Sequence, residues 1–133
     1  DLHLSLRRQR QMCIRDRIYP VCNLASWPGL AKCSKAYGLS PQGLAESLKD
    51  HNPIDRLAPL AKAQVPLFHI HGDKDRVVPL RANSGIVSER YAKLGGNMTL
   101  KIMKNQGHNM WSGWFQDKDL IAFILQHATR LKE

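Results

Sequence analysis

Short apolar runs alternate along this chain with stretches whose apolar residues keep helical spacing. From Val65 to Ile70, β-branched and aromatic residues crowd into a strand's length and predict a buried strand. It breaks at Gly72 into a polar turn carrying Asp73 and Asp75. From Leu80 onward Ile86, Val87, Tyr91 and Leu94 keep helical spacing until Gly95-Gly96 stops the helix. A second strand, Met98 to Met103, runs out into a Gly107-His108 turn, and Leu120, Ile121, Ile124 and Leu131 mark an amphipathic helix near the C-terminus. Upstream, Ile18-Tyr19-Pro20-Val21 reads as the end of a buried strand leaving the sheet, followed by an irregular excursion from Asn23 to Leu39. Ser40 is a good N-cap with Pro41 at the first helical position, so a helix is expected through Leu44 and Leu48 to about His51. Asn52-Pro53 breaks it, and a short helical turn, Ile54 to Ala61, leads into the strand. The order is strand, helical excursion, strand, helix, strand, helix. That alternation predicts an α/β fold with a parallel sheet and crossover helices.

Composition changes the picture at the N-terminus. Residues 1–17 have no apolar period, hold five Arg, and lack the apolar core and cleavage site of a signal peptide. Arg7–Arg17 (RRQRQMCIRDR) back-translates to a string resembling a transposon-type sequencing adapter, and Asp1-Leu2-His3 fits the sequence that precedes such an adapter. We therefore expect residues 1–17 to be a non-native, disordered segment, with 18–133 the C-terminal part of a single α/β domain whose N-terminal half is missing. The formal net charge of +9 includes +3 from this segment, and the remaining +6 is scattered. No stacking aromatics alternate with basic residues, so no nucleic-acid partner is expected. No apolar run approaches membrane-spanning length, so no membrane partner is expected either. Cys22 and Cys33 could pair or stay free. Secreted, periplasmic and cytoplasmic locations are all left open, as is the oligomeric state.

The chemistry gathers at two strand ends, one offering a carboxylate and the next an imidazole. Such a pair forms two thirds of a nucleophilic triad, and the chain order nucleophile, acid, His puts the nucleophile upstream. From Ile18 onward the chain resembles the last part of an α/β-hydrolase of the prolyl-oligopeptidase and dienelactone-hydrolase-like group, on HGDKDRVVP, Gly95-Gly96 and GQGHNMW in this order. The resemblance implies a serine hydrolase, an esterase or S9-type peptidase, acting through an acyl-enzyme on a small-molecule ester or peptide without a cofactor. It aligns Asp75 with the triad acid and His108 with the base, with Asp73 competing for the acid role. No Gly-x-Ser-x-Gly elbow occurs in the sequence, so the nucleophile and oxyanion donors are expected outside it and the chain alone should be inactive. A catalytically inactive binding domain on the same fold is the alternative. Trp27, Tyr37 and Trp111 line a substrate pocket or are ordinary core aromatics. Finally, His69-x-His71-x-Asp73 resembles the motif of metal-dependent hydrolases, although Lys74 stands where that motif has its last His.

Overall fold

A computed structural model describes residues 17–128. Three parallel strands, β1 (Arg17–Ile18), β2 (Leu67–Gly72) and β3 (Met98–Met103), lie in the order β1-β2-β3. Between β1 and β2 run the short helices α1 (Leu30–Cys33), α2 (Pro41–Glu46), α3 (Leu48–His51) and α4 (Ala58–Lys62). Helix α5 (Ile86–Lys93), entered through a π-helical turn at Arg81–Gly85, crosses from β2 to β3, and α6 (Lys118–Ala128) follows β3.

The central strand organises both layers, because its side chains alternate between two covered faces. Phe68 and Ile70 point to one face and pack with Trp114 and Leu120 of the α6 layer. Leu67 points to the other and packs with Leu57, Ala61, Val87 and Tyr91. Burial of each large apolar side chain of this kind is worth about 1.5–3 kcal/mol. A third cluster, Leu24, Cys33 and Leu44, gives the excursion its own small core.

Several boundaries differ from the sequence expectation for identifiable reasons. β2 begins at Leu67 rather than Val65: the Val65 N–H goes to the Leu60 carbonyl, its carbonyl accepts the Tyr91 hydroxyl, and Pro66 has no N–H. The helix expected to run unbroken to His51 is interrupted at Ser47, whose hydroxyl donates back to the Gly43 carbonyl at 2.7 Å. Its start is as read, with Ser40 Oγ accepting the Gly43 N–H at 3.0 Å and Pro41 first in the helix. The turn expected from Ile54 to Ala61 is a 3-10 turn, Pro53–Asp55, followed by α4. Arg17, assigned above to the leading segment, pairs with His69 in β1. The rest of that segment and Leu131 lie outside the described residues. Cys22 and Cys33 are both free and buried, and burial pushes the Cys22 thiol up to about 11.

Candidate active site

At the C-terminal edge of the sheet the ends of β2 and β3 come together. The approach depends on Gly72: a Cβ there would sit 2.1 Å from the Gln106 carbonyl oxygen, so no side chain fits between the two backbones. Hydrogen bonds bind the loops across this gap, from Asp73 N–H to the Met103 carbonyl (3.2 Å) and from Lys74 N–H to the Gln106 carbonyl (2.9 Å).

Asp75 sits in the resulting turn with its side chain fully buried. Its Oδ1 accepts the backbone N–H groups of Val77 (3.0 Å) and Val78 (2.8 Å), an Asx-type closure that fixes the carboxylate's plane. Its Oδ2 lies 2.9 Å from His108 Nδ1 and 3.4 Å from His71 Nε2. Because a carboxylate accepts, the His108 hydrogen sits on Nδ1 and leaves Nε2 as the nitrogen able to take a proton. Asp73, the competing acid, is exposed in the turn.

His108 is set differently. Its side chain is 31% exposed, and its ring lies against Tyr19 with centroids 4.3 Å apart. Tyr19 in turn meets the buried Trp114 edge-on, and its hydroxyl donates to the Asn109 carbonyl at 3.1 Å. The same carbonyl accepts Trp114 Nε1–H at 3.0 Å, so two aromatic side chains grip the backbone next to the imidazole. Tyr19 reaches this position from a left-handed backbone conformation (φ 36°), uncommon for a residue with a side chain, at the point where the chain leaves β1. The sequence reading did not single out Tyr19. Its one signal was its place at the end of a strand expected to be buried.

Of the three aromatics expected to line a pocket, Trp111 stacks edge-on against Trp114 and joins this cluster. Tyr37 packs on His51, and Trp27 lies part-exposed in the excursion. A cavity of about 400 Å³ opens on the opposite side of β2, lined by Arg17, Cys22, Leu57, Leu67, His69 and Val87 among others, and includes neither Asp75 nor His108.

The His69-x-His71-x-Asp73 string does not gather into a ligand set. His69 Nδ1 and His71 Nδ1 both lie on Ser84 Oγ, at 3.1 and 2.9 Å, while Asp73 faces solvent beyond Gly72. Among the described residues no three His, Cys, Asp or Glu side chains are grouped to hold a metal ion. Burial, assisted by the charge of Arg17, lowers His69 to about 3, and burial also lowers His71. Both rings are neutral at ordinary pH.

A parallel sheet flanked by helices, with a buried carboxylate and an imidazole meeting at its edge, is the arrangement of an α/β-hydrolase. A sequence model of the phospholipase/carboxylesterase family matches residues 51–127, from the end of α3 through α6 and across both loops. The chain belongs to this family. No curated protein matches the chain. The matched span contains Gly72, Asp75, Ser84 and His108, while Tyr19 lies outside it.

Proposed function

We propose that the chain provides the acid and the base of a serine hydrolase that cleaves carboxylic esters through an acyl-enzyme. The observation that carries this reading is the 2.9 Å contact between buried Asp75 Oδ2 and His108 Nδ1. His108 Nε2 takes the proton of an attacking serine hydroxyl and returns it to the leaving alcohol; water then repeats the sequence on the acyl-enzyme. Asp75 keeps the ring in the Nδ1–H tautomer and stabilises the imidazolium formed in each step. The serine and its oxyanion donors come from residues other than 17–128, on a strand–Gly-x-Ser-x-Gly–helix unit that precedes Ile18 in the gene.

Family membership favours an ester over a peptide bond, with the likeness of HGDKDRVVP and GQGHNMW to the prolyl-oligopeptidase and dienelactone-hydrolase-like group as the finer assignment. Met110, Trp111 and Phe115, exposed on the loop after His108, supply an apolar rim suited to an acyl or alkyl group. The test is made on the gene product extended upstream of Ile18. It should hydrolyse activated short-chain esters, react covalently with a fluorophosphonate at the new serine, and lose both properties on His108→Ala. A residue other than Ser, Cys or Thr at the elbow, with no ester turnover, would identify a binding domain on the same fold instead.

A further inference from the structure

The face of β2 opposite Phe68 and Ile70 carries polar groups where an apolar core would be expected. His69, His71 and Ser84 are all buried there, next to Leu67 and Val87. Filling the same volume with apolar side chains would avoid the cost of desolvating two imidazoles and a hydroxyl. The hydrogen bonds leave each of these groups only one possible arrangement.

His71 Nε2 is 2.9 Å from the Val78 carbonyl oxygen, which can only accept, so this nitrogen carries the hydrogen. Burial keeps the ring neutral, so Nδ1 is bare and Ser84 Oγ, 2.9 Å away, must donate to it. With its hydrogen committed, Ser84 Oγ accepts from His69 Nδ1 at 3.1 Å. The row therefore runs one way: His69 donates to Ser84, Ser84 to His71, and His71 to Val78. At the far end Asp75 Oδ2, 3.4 Å from His71 Nε2, receives the Nδ1–H of His108.

We infer that His71 is a positioning residue for the Asp75–His108 pair, locked in the Nε2–H tautomer by the Val78 carbonyl, with Ser84 and His69 completing the row on its other side. This rests on the reading of Asp75 and His108 as acid and base. The His71 N–H holds the Val78 carbonyl, and the Val78 N–H holds Asp75 Oδ1 at 2.8 Å, so one ring ties the turn to β2. The same N–H faces Oδ2. In the other tautomer a bare Nε2 lone pair would face two oxygens, repelling both and turning the carboxylate away from His108. The π-helical turn Arg81–Gly85 serves this arrangement by aiming Ser84 inward from the start of the crossover helix.

Histidine side-chain nitrogen NMR on the whole chain tests the inference without needing a substrate. The unmodified protein should show His69 as the Nδ1–H tautomer, His71 as the Nε2–H tautomer, and a downfield, exchange-protected Nδ1–H signal from His108. His71→Phe keeps a ring but removes the donor, and should abolish the His108 signal. His71→Gln returns an amide N–H near the Nε2 position and should keep it. Retention of the signal in His71→Phe overturns the positioning role while leaving the Asp75–His108 pair intact. Its absence from the unmodified protein overturns the pair, and the inference with it. Should His71→Phe fail to fold, Ser84→Ala carries the test: with the Val78 carbonyl and Asp75 still accepting, His71 should stay Nε2–H and the His108 signal should persist. A His71 that turns to the Nδ1–H tautomer in that variant while the His108 signal is unchanged overturns the positioning role.

Discussion

Asp75 and His108 face each other across one hydrogen bond, yet their surroundings differ. The Asp75 side chain is fully buried, receives two backbone N–H groups on one oxygen, has His71 and His108 on the other, and is walled in by β2. His108 is part-exposed on a loop and rests on one aromatic ring, with the Asn109 backbone beside it gripped by Tyr19 and Trp114. Asp75 is thus over-determined and His108 lightly held. That division suits the chemistry proposed above, in which a carboxylate that only orients and stabilises would gain from rigidity, whereas an imidazole that passes protons in two directions would have to adjust between steps.

The contrast can be broken most severely at Gly72. Gly72→Ala puts a methyl group 2.1 Å from the Gln106 carbonyl oxygen, which is backbone and has little room to yield. Overpacking of this kind costs about 3 kcal/mol, and here it should also part the acid turn from the base loop. Chemical unfolding should report the lost stability, and loss of the His108 Nδ1–H signal the separation.

The two halves of the pair should then respond unequally to truncation. Asp75→Ala strips partners from the Val77 and Val78 N–H groups, and a buried donor left unpaired costs about 1–3 kcal/mol. His108→Ala removes a part-exposed ring and should cost less than about 1 kcal/mol. Equal losses of stability in the two variants would show that the turn is no better braced than the loop.

Acid should act on the buried side of the site first. A folded-state value of about 3 for His69, against about 6.5 when unfolded, means that unfolded chains bind a proton that folded ones refuse. The stability from keeping His69 neutral is fully present above pH 6.5 and is lost as pH falls toward 3, by up to about 5 kcal/mol. His71, lowered in the same direction, adds to the loss. Urea midpoints taken across this range should fall with pH, and His69→Leu should flatten the slope.

The smallest effect belongs to the surface. Lys101 bridges Asp117 (2.5 Å) and Asp119 (2.7 Å), joining β3 to the start of α6 near solvent. Lys101→Met should cost less than about 1 kcal/mol, and the difference should shrink in high salt.

The layered architecture was legible because the period of apolar residues changes where the structure changes. Strand β3 is observed as read, Met98–Met103, and Ser40-Pro41 opens a helix. That Asp75 and His108 would lie at one sheet edge could be read from their places after consecutive strands, since parallel strands deliver their ends to the same side. Other features were hidden for physical reasons. Two histidines in β2 look like metal ligands in a string of letters, because a period of two puts them on one face; only the fold brings Ser84 between them. The π-helical turn that aims Ser84 has no sequence mark distinguishing it from a helix start. Tyr19 reaches the Asn109 carbonyl beside His108 from ninety residues away through a left-handed kink that is rare for tyrosine.

The central claim, that Asp75 and His108 act as one unit, is tested most directly by a double-mutant cycle on ester hydrolysis in the gene product extended upstream of Ile18. Asp75→Asn and His108→Ala should each lower kcat by about 10⁴, since the carboxylate works only through the imidazole. The double variant should then be no slower than the worse of the two singles. Losses that multiply, or an Asp75→Asn enzyme close to full activity, would contradict the account.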